Sequence, residues 1–143
     1  KIHDKFTVEN HEIDLLSLDL DGVDYWIWDA LEDIVPRVVV VEYHNVLGME
    51  SVTIPYDENF NRFNIHENYF GASLPAFVKL ANKKGYRLVG CNIHGYNAFF
   101  IRNDLGHEYF PEVTAEECLS KHQAKFAHKK YHEGINDLAW IQV

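Results

Sequence analysis

The sequence predicts an α/β fold in which a largely parallel sheet is covered by helices on both faces and ends in an antiparallel hairpin. Three observations predict it. Residues 37–43, from Arg37 to Tyr43, hold four consecutive valines, a run apolar on both faces as a central, helix-covered parallel strand requires. A shorter apolar run over 13–20 precedes it with a helical stretch between, which makes one βαβ unit with a right-handed crossover. Downstream, strand-like segments at 86–91 and 98–102 flank a connection at 92–97 short enough for a hairpin.

The elements follow in chain order. The run Ile13-Asp14-Leu15-Leu16-Ser17-Leu18-Asp19-Leu20 predicts a buried parallel strand, and Asp21-Gly22 a turn after it. Asp24 opens a helix, where an acid complements the positive end of the helix dipole. Ile27, Ala30, Leu31 and Ile34 recur at helical spacing as its buried face, and Pro36 stops it. After the valine strand, residues 46–70 show no sustained period and contain Gly48, Pro55 and several Asn, which predicts a long functional loop of the lid type. Ser73 is an N-cap, Pro75 fits the first turn, and Leu74, Phe77, Val78 and Ala81 form one face up to Gly85. A last helix is expected from Thr114 to about Tyr131, followed by a short apolar end over 138–143. Neither repeats nor a linker interrupt the chain, so 1–143 is read as a single domain.

Composition narrows the function classes. The 143 residues are 47% hydrophobic and 14% aromatic, enough for a globular core. The formal charge is −9, from 13 basic against 22 acidic residues. At long range such a surface repels nucleic acid and anionic membranes, so neither is an expected partner. No run approaches the roughly 20 apolar residues that span a bilayer. Cys91 and Cys118 are far apart in sequence and form no CxxC pair, which predicts two ordinary reduced thiols in a cytoplasmic protein.

The ordered set of segments resembles a known family. Ile13-Asp14-Leu15-Leu16-Ser17-Leu18-Asp19-Leu20-Asp21-Gly22 is similar to the "IDLLKIDVEG" stretch of FkbM-type methyltransferases. Val39-Val40-Val41-Glu42 resembles the family's next strand, which also ends in an acid. Gly85-Tyr86-Arg87-Leu88-Val89-Gly90 with Asn97-Ala98-Phe99-Phe100-Ile101 resembles its closing hairpin. The resemblance covers about residues 10–104. It implies the second half of a Rossmann-like class I methyltransferase sheet, and transfer of a methyl group from S-adenosylmethionine to a hydroxyl of a sugar or natural product. The family's glycine-rich cofactor loop belongs before residue 13, and residues 1–12 are too few to contain it. The chain is therefore expected to be the C-terminal part of such a domain, with a degenerate domain as the competing explanation. A half-sheet has an open strand edge, which predicts self-association as a homodimer.

In such a sheet, ligands gather at the carboxyl ends of the strands. Asp19 and Asp21 end the first strand, and Glu42, His44 and Asn45 the next. Asp19 and Asp21 are the expected cofactor-side acids. Asp19, Asp21 and Glu42 together offer the oxygen ligands that a hard cation such as Mg²⁺ takes, to hold and acidify an acceptor hydroxyl. The competing reading is that Asp21 shapes the turn and Glu42 pairs with a nearby cation. His44 is a candidate general base because imidazole titrates near neutrality, with Asp19 beside it; a surface loop histidine is the alternative. Trp26, Tyr43, Asn45, His94 and Asn97 are candidate acceptor-binding residues, since aromatic faces suit sugar rings and amides their hydroxyls. Core packing competes with that role for the cluster Tyr25, Trp26 and Trp28. His122, His128 and His132 have no acidic or thiol partner in the pattern and read as solvated. Two other readings stand beside the enzyme: a non-catalytic oligomerisation or carbohydrate-binding module, and another Rossmann-like enzyme.

Overall fold

Val39 and Val41 are fully buried at the centre of a four-stranded sheet. The computed structural model describes residues 13–121 and 134–143. Strand β1 (Leu15–Leu18) runs parallel to β2 (Val38–Glu42), with Leu18 opposite Val41. Helix α1 (Asp24–Ala30) connects them. After a loop that contains the short strand β3 (Val52–Thr53), helix α2 (Leu74–Lys83) leads into β4 (Tyr86–Cys91) and β5 (Asn97–Arg102). The hairpin folds back, so β5 lies antiparallel between β2 and β4, giving the order β1-β2-β5-β4. Helix α3 (Ala115–Lys121) follows, and β6 (Ile141–Gln142) pairs antiparallel with β3.

The mixed α/β architecture agrees with the sequence, and three of its details do not. Only Leu18 of β1 is buried, while Leu15 is 57% exposed: among the described residues no strand covers the outer edge of β1, so its apolar run does not make it an interior strand. Helix α1 ends at Ala30, well before Pro36, and buries Asp24, Tyr25 and Trp28 instead of the aliphatic face. The aromatic rings win because each removes more apolar surface from water than an Ile or Ala. All described helices share one core with one sheet face: Trp28, Phe77 and Cys118 pack in the same cluster as Val39, Val41 and Phe100. The expectation of helices on both faces is thus not met among the described residues. The predicted last helix is described only over Ala115–Lys121, and His122, His128 and His132 lie outside the described residues. No described helix is long and apolar enough to cross a membrane.

Local chemistry explains the best-formed element. The Ser73 hydroxyl accepts the Ala76 N–H at 3.2 Å, Pro75 sits in the first turn, and Gly85 takes φ +82° just past the end. Arg87 is 2% exposed and donates to the carbonyls of Arg102, Leu105 and Phe110, which fastens the 102–110 segment beside β4.

Candidate functional site

Because β1 and β2 are parallel neighbours, their carboxyl ends deliver Asp19, Asp21 and Glu42 to one end of the sheet. Asp21 adopts φ +55°, the left-handed region that Asp tolerates better than most residues. The buried Asp24 carboxylate turns back on this bend and accepts the Leu20 N–H at 2.9 Å and the Gly22 N–H at 3.1 Å. Burial raises the Asp24 carboxyl above the usual range, and those two backbone donors partly offset it.

Glu42 is half-buried at the end of β2, paired in register with Asn97. Its carboxyl is pushed up to about 7, first by burial and then by the negative charges of Asp19, Asp21 and Asp24, with Arg62 opposing. A carboxyl in that range exchanges its proton near neutral pH, as a general acid or base must.

The 46–70 loop folds over this end of the sheet. Trp26 Nε1 donates to the Ile54 carbonyl at 2.8 Å, and the Gly71 N–H to the Gly22 carbonyl at 3.0 Å. Arg62 comes down from the loop onto Asp21 at 2.8 Å, with its guanidinium 4.7 Å from the Phe70 ring centre and 5.0 Å from that of Phe63. Phe70 also stacks on His44 at 4.4 Å and 15°. Residues 139–140 pack against the same loop. Tyr69 donates to the Ala139 carbonyl, and Trp140 lies edge-on to Tyr69 at 4.9 Å and 6.5 Å from His44.

The structure brings some predicted residues together and separates others. Asp19, Asp21, Glu42 and Asn97 share the strand ends. His44 is 6% exposed, and its Nε2 lies 2.7 Å from the Asn68 carbonyl, so that nitrogen carries the proton and donates. The Nε2 bond to the Asn68 carbonyl and the stack on Phe70 tie His44 to the loop. Tyr43 is 1% exposed: strand alternation places it with Val39 and Val41 on the core face, away from any acceptor. Asn45 is buried in the turn after β2, and Trp26 is spent on holding Ile54. His94 is exposed at the hairpin tip, and the Asn97 side chain accepts from Asn92 at 2.8 Å. Among the described residues no three His, Cys, Asp or Glu side chains gather closely enough to hold a metal ion, so the Asp19, Asp21 and Glu42 set does not close around Mg²⁺.

No protein-family model matches the chain, and neither curated proteins nor solved structures give a match. The site therefore stands on its own geometry.

Arg62 was missed from the sequence. A signal was present: Arg62 is the one Lys or Arg between Arg37 and Lys79, flanked by Phe60 and Phe63 in an acidic stretch. A lone cation in such a stretch is the natural partner of acids that converge elsewhere.

Proposed function

We propose that the chain forms the acceptor side of an S-adenosylmethionine-dependent O-methyltransferase, with Glu42 as the group that accepts the proton of the sugar or natural-product hydroxyl. The observation that carries this reading is a half-buried carboxyl, raised to about 7, at the carboxyl end of a parallel strand pair. The antiparallel β5 and β4 beside parallel β1 and β2 agree with the sheet the family resemblance implies. Above pH 7 Glu42 is ionised and takes the hydroxyl proton through Oε1 or Oε2. Asn97, its cross-strand neighbour, lies where it orients the acceptor.

The described residues do not by themselves fit the methyl donor. The Leu20 and Gly22 amides are already taken by Asp24, and a side chain at Gly22 would meet Phe60 at 2.9 Å. Of the two expected cofactor-side acids, Asp21 is already paired with Arg62. That same closure, with His44 locked in place, favours a second reading as a non-catalytic carbohydrate-binding module.

Incubation with methyl-labelled S-adenosylmethionine and a panel of methyl glycosides separates the two. The enzyme reading expects labelled glycoside whose formation rises through pH 7 and is lost in Glu42→Gln. Glycoside binding without transfer supports the module, and transfer indifferent to Glu42→Gln removes Glu42 from the reaction.

A further inference from the structure

Cys91 and Cys118, remote in sequence, meet in the folded chain. Cys91 ends β4 and is half-buried; Cys118 is 5% exposed on α3. The Val113 N–H bonds the Leu88 carbonyl at 2.9 Å, which lays the start of α3 along β4. The Cys118 and Cys91 side chains are in hydrogen-bond contact, and both belong to or pack against the main core. The Tyr43 hydroxyl is buried without a well-formed hydrogen bond and borders the same Cys91 thiol. A thiol pair in contact, bridging a strand end and a helix, has a chemistry that neither cysteine has alone.

We propose that Cys91 and Cys118 are a redox modification site, joined as a disulfide by a small disulfide oxidant such as oxidised glutathione. The Cys91 thiol, the more exposed of the two, loses its proton and attacks one glutathione sulfur. That step expels a glutathione thiolate and leaves a mixed disulfide on Cys91. Cys118 then loses its proton and attacks the Cys91 sulfur, expelling the second glutathione. Two protein thiols are oxidised, and one oxidant molecule is reduced to two thiols. Closure brings the two sulfurs from hydrogen-bond contact to the bonded separation of about 2.05 Å, with the Cβ atoms about 3.8 Å apart.

Two consequences follow. The bond ties α3 to the end of β4 and removes a thiol hydrogen from beside Tyr43, which stands between Glu42 and His44 in sequence. The mutual thiol contact and burial hold the Cys91 thiol well above its usual range, so little thiolate forms at neutral pH and the reaction is slow there. It accelerates as pH rises.

The folded chain is incubated with oxidised glutathione at pH 7, 8 and 9 and its mass is followed without reductant. The expected product is monomeric, about 2 Da lighter, carries a cross-linked peptide containing Cys91 and Cys118, and melts roughly 10 °C higher than the reduced form. The rate climbs with pH. Cys118→Ser stops at one glutathione on Cys91, which shows that the second step uses Cys118. The proposal is overturned if both thiols remain alkylatable while the urea-unfolded chain is oxidised, or if wild type stops at a single glutathione adduct. Intermolecular dimers as the only product overturn it equally. The wild-type arms decide the matter even where a Ser variant does not fold.

Discussion

Removing the Arg62 guanidinium tests whether the 46–70 loop is latched to the strand ends. In Arg62→Met the apolar stem stays and three interactions go. The Asp21 ion pair at 2.8 Å has side-chain exposures of 22% and 52%, so solvent screening limits it to about 0.5–1 kcal/mol. The Phe70 and Phe63 ring contacts at 4.7 and 5.0 Å contribute about 0.5 kcal/mol each at this degree of exposure. Some of that sum is offset because the freed side chain regains conformational entropy. A net of about 1–1.5 kcal/mol remains, and it is local to the loop. Hydrogen exchange read by mass spectrometry is the assay. Amides over 60–70 should exchange about 5–12-fold faster, while those of α2 keep their protection. Asp21→Asn should give part of the same effect, and both should shrink at high salt. Unchanged exchange over 60–70, or an equal loss of protection in α2, would refute the latch.

Three further outcomes are expected. The Glu42 carboxyl is pushed up to about 7 in the folded protein from its ordinary value of 4.5, so the folded protein holds that proton more tightly than the unfolded chain. The associated stability is complete below pH 4.5 and is lost as pH rises through 7. The full shift corresponds to about 3 kcal/mol, discounted to about 2 for a half-buried group. Urea denaturation of Glu42→Gln should therefore match wild type near pH 4.5 and exceed it by about 2 kcal/mol at pH 8, while a constant difference across that range contradicts the assignment. Ser73→Ala removes an oxygen that accepts from both Ala76 and Val52; a loss of about 1–2 kcal/mol in the same assay is expected, and a loss under about 0.5 argues against the cap. Trp28, 2% exposed among Phe77, Tyr86 and Phe100, should cost about 3–5 kcal/mol as Trp28→Ala, seen as a fall in urea midpoint.

What was legible in the sequence was what local chemistry decides. Four valines made β2 a core strand, and Ser73 with Pro75 set the start of α2, because propensity and capping act within a few residues. The hairpin segments were legible too, though not the insertion of β5 between β2 and β4, which is a tertiary choice. Leu15 shows the limit: an apolar run reports the tendency to be covered, not whether a neighbour covers it. In α1 the aliphatic period was real but lost to the larger Tyr25 and Trp28 surfaces. The pairing of β3 with β6 joins two-residue strands far apart in the chain and leaves no local pattern. At the site, the acids at the strand ends could be anticipated from topology. The Asn68 carbonyl that engages His44, and the Arg62 contact with Asp21, depend on how the long loop closes. The meeting of Cys91 and Cys118 is of the same kind.

The proton held by Glu42 is the point on which the functional account turns. Carbon-13 NMR of the side-chain carboxyl, titrated from pH 3 to pH 9 with Glu42→Gln as the assignment control, measures it directly. A midpoint near 7 is expected, moving higher in Arg62→Met as the opposing cation is lost. A midpoint near 4.5, unmoved by Arg62→Met, would contradict it and remove Glu42 as the proton acceptor.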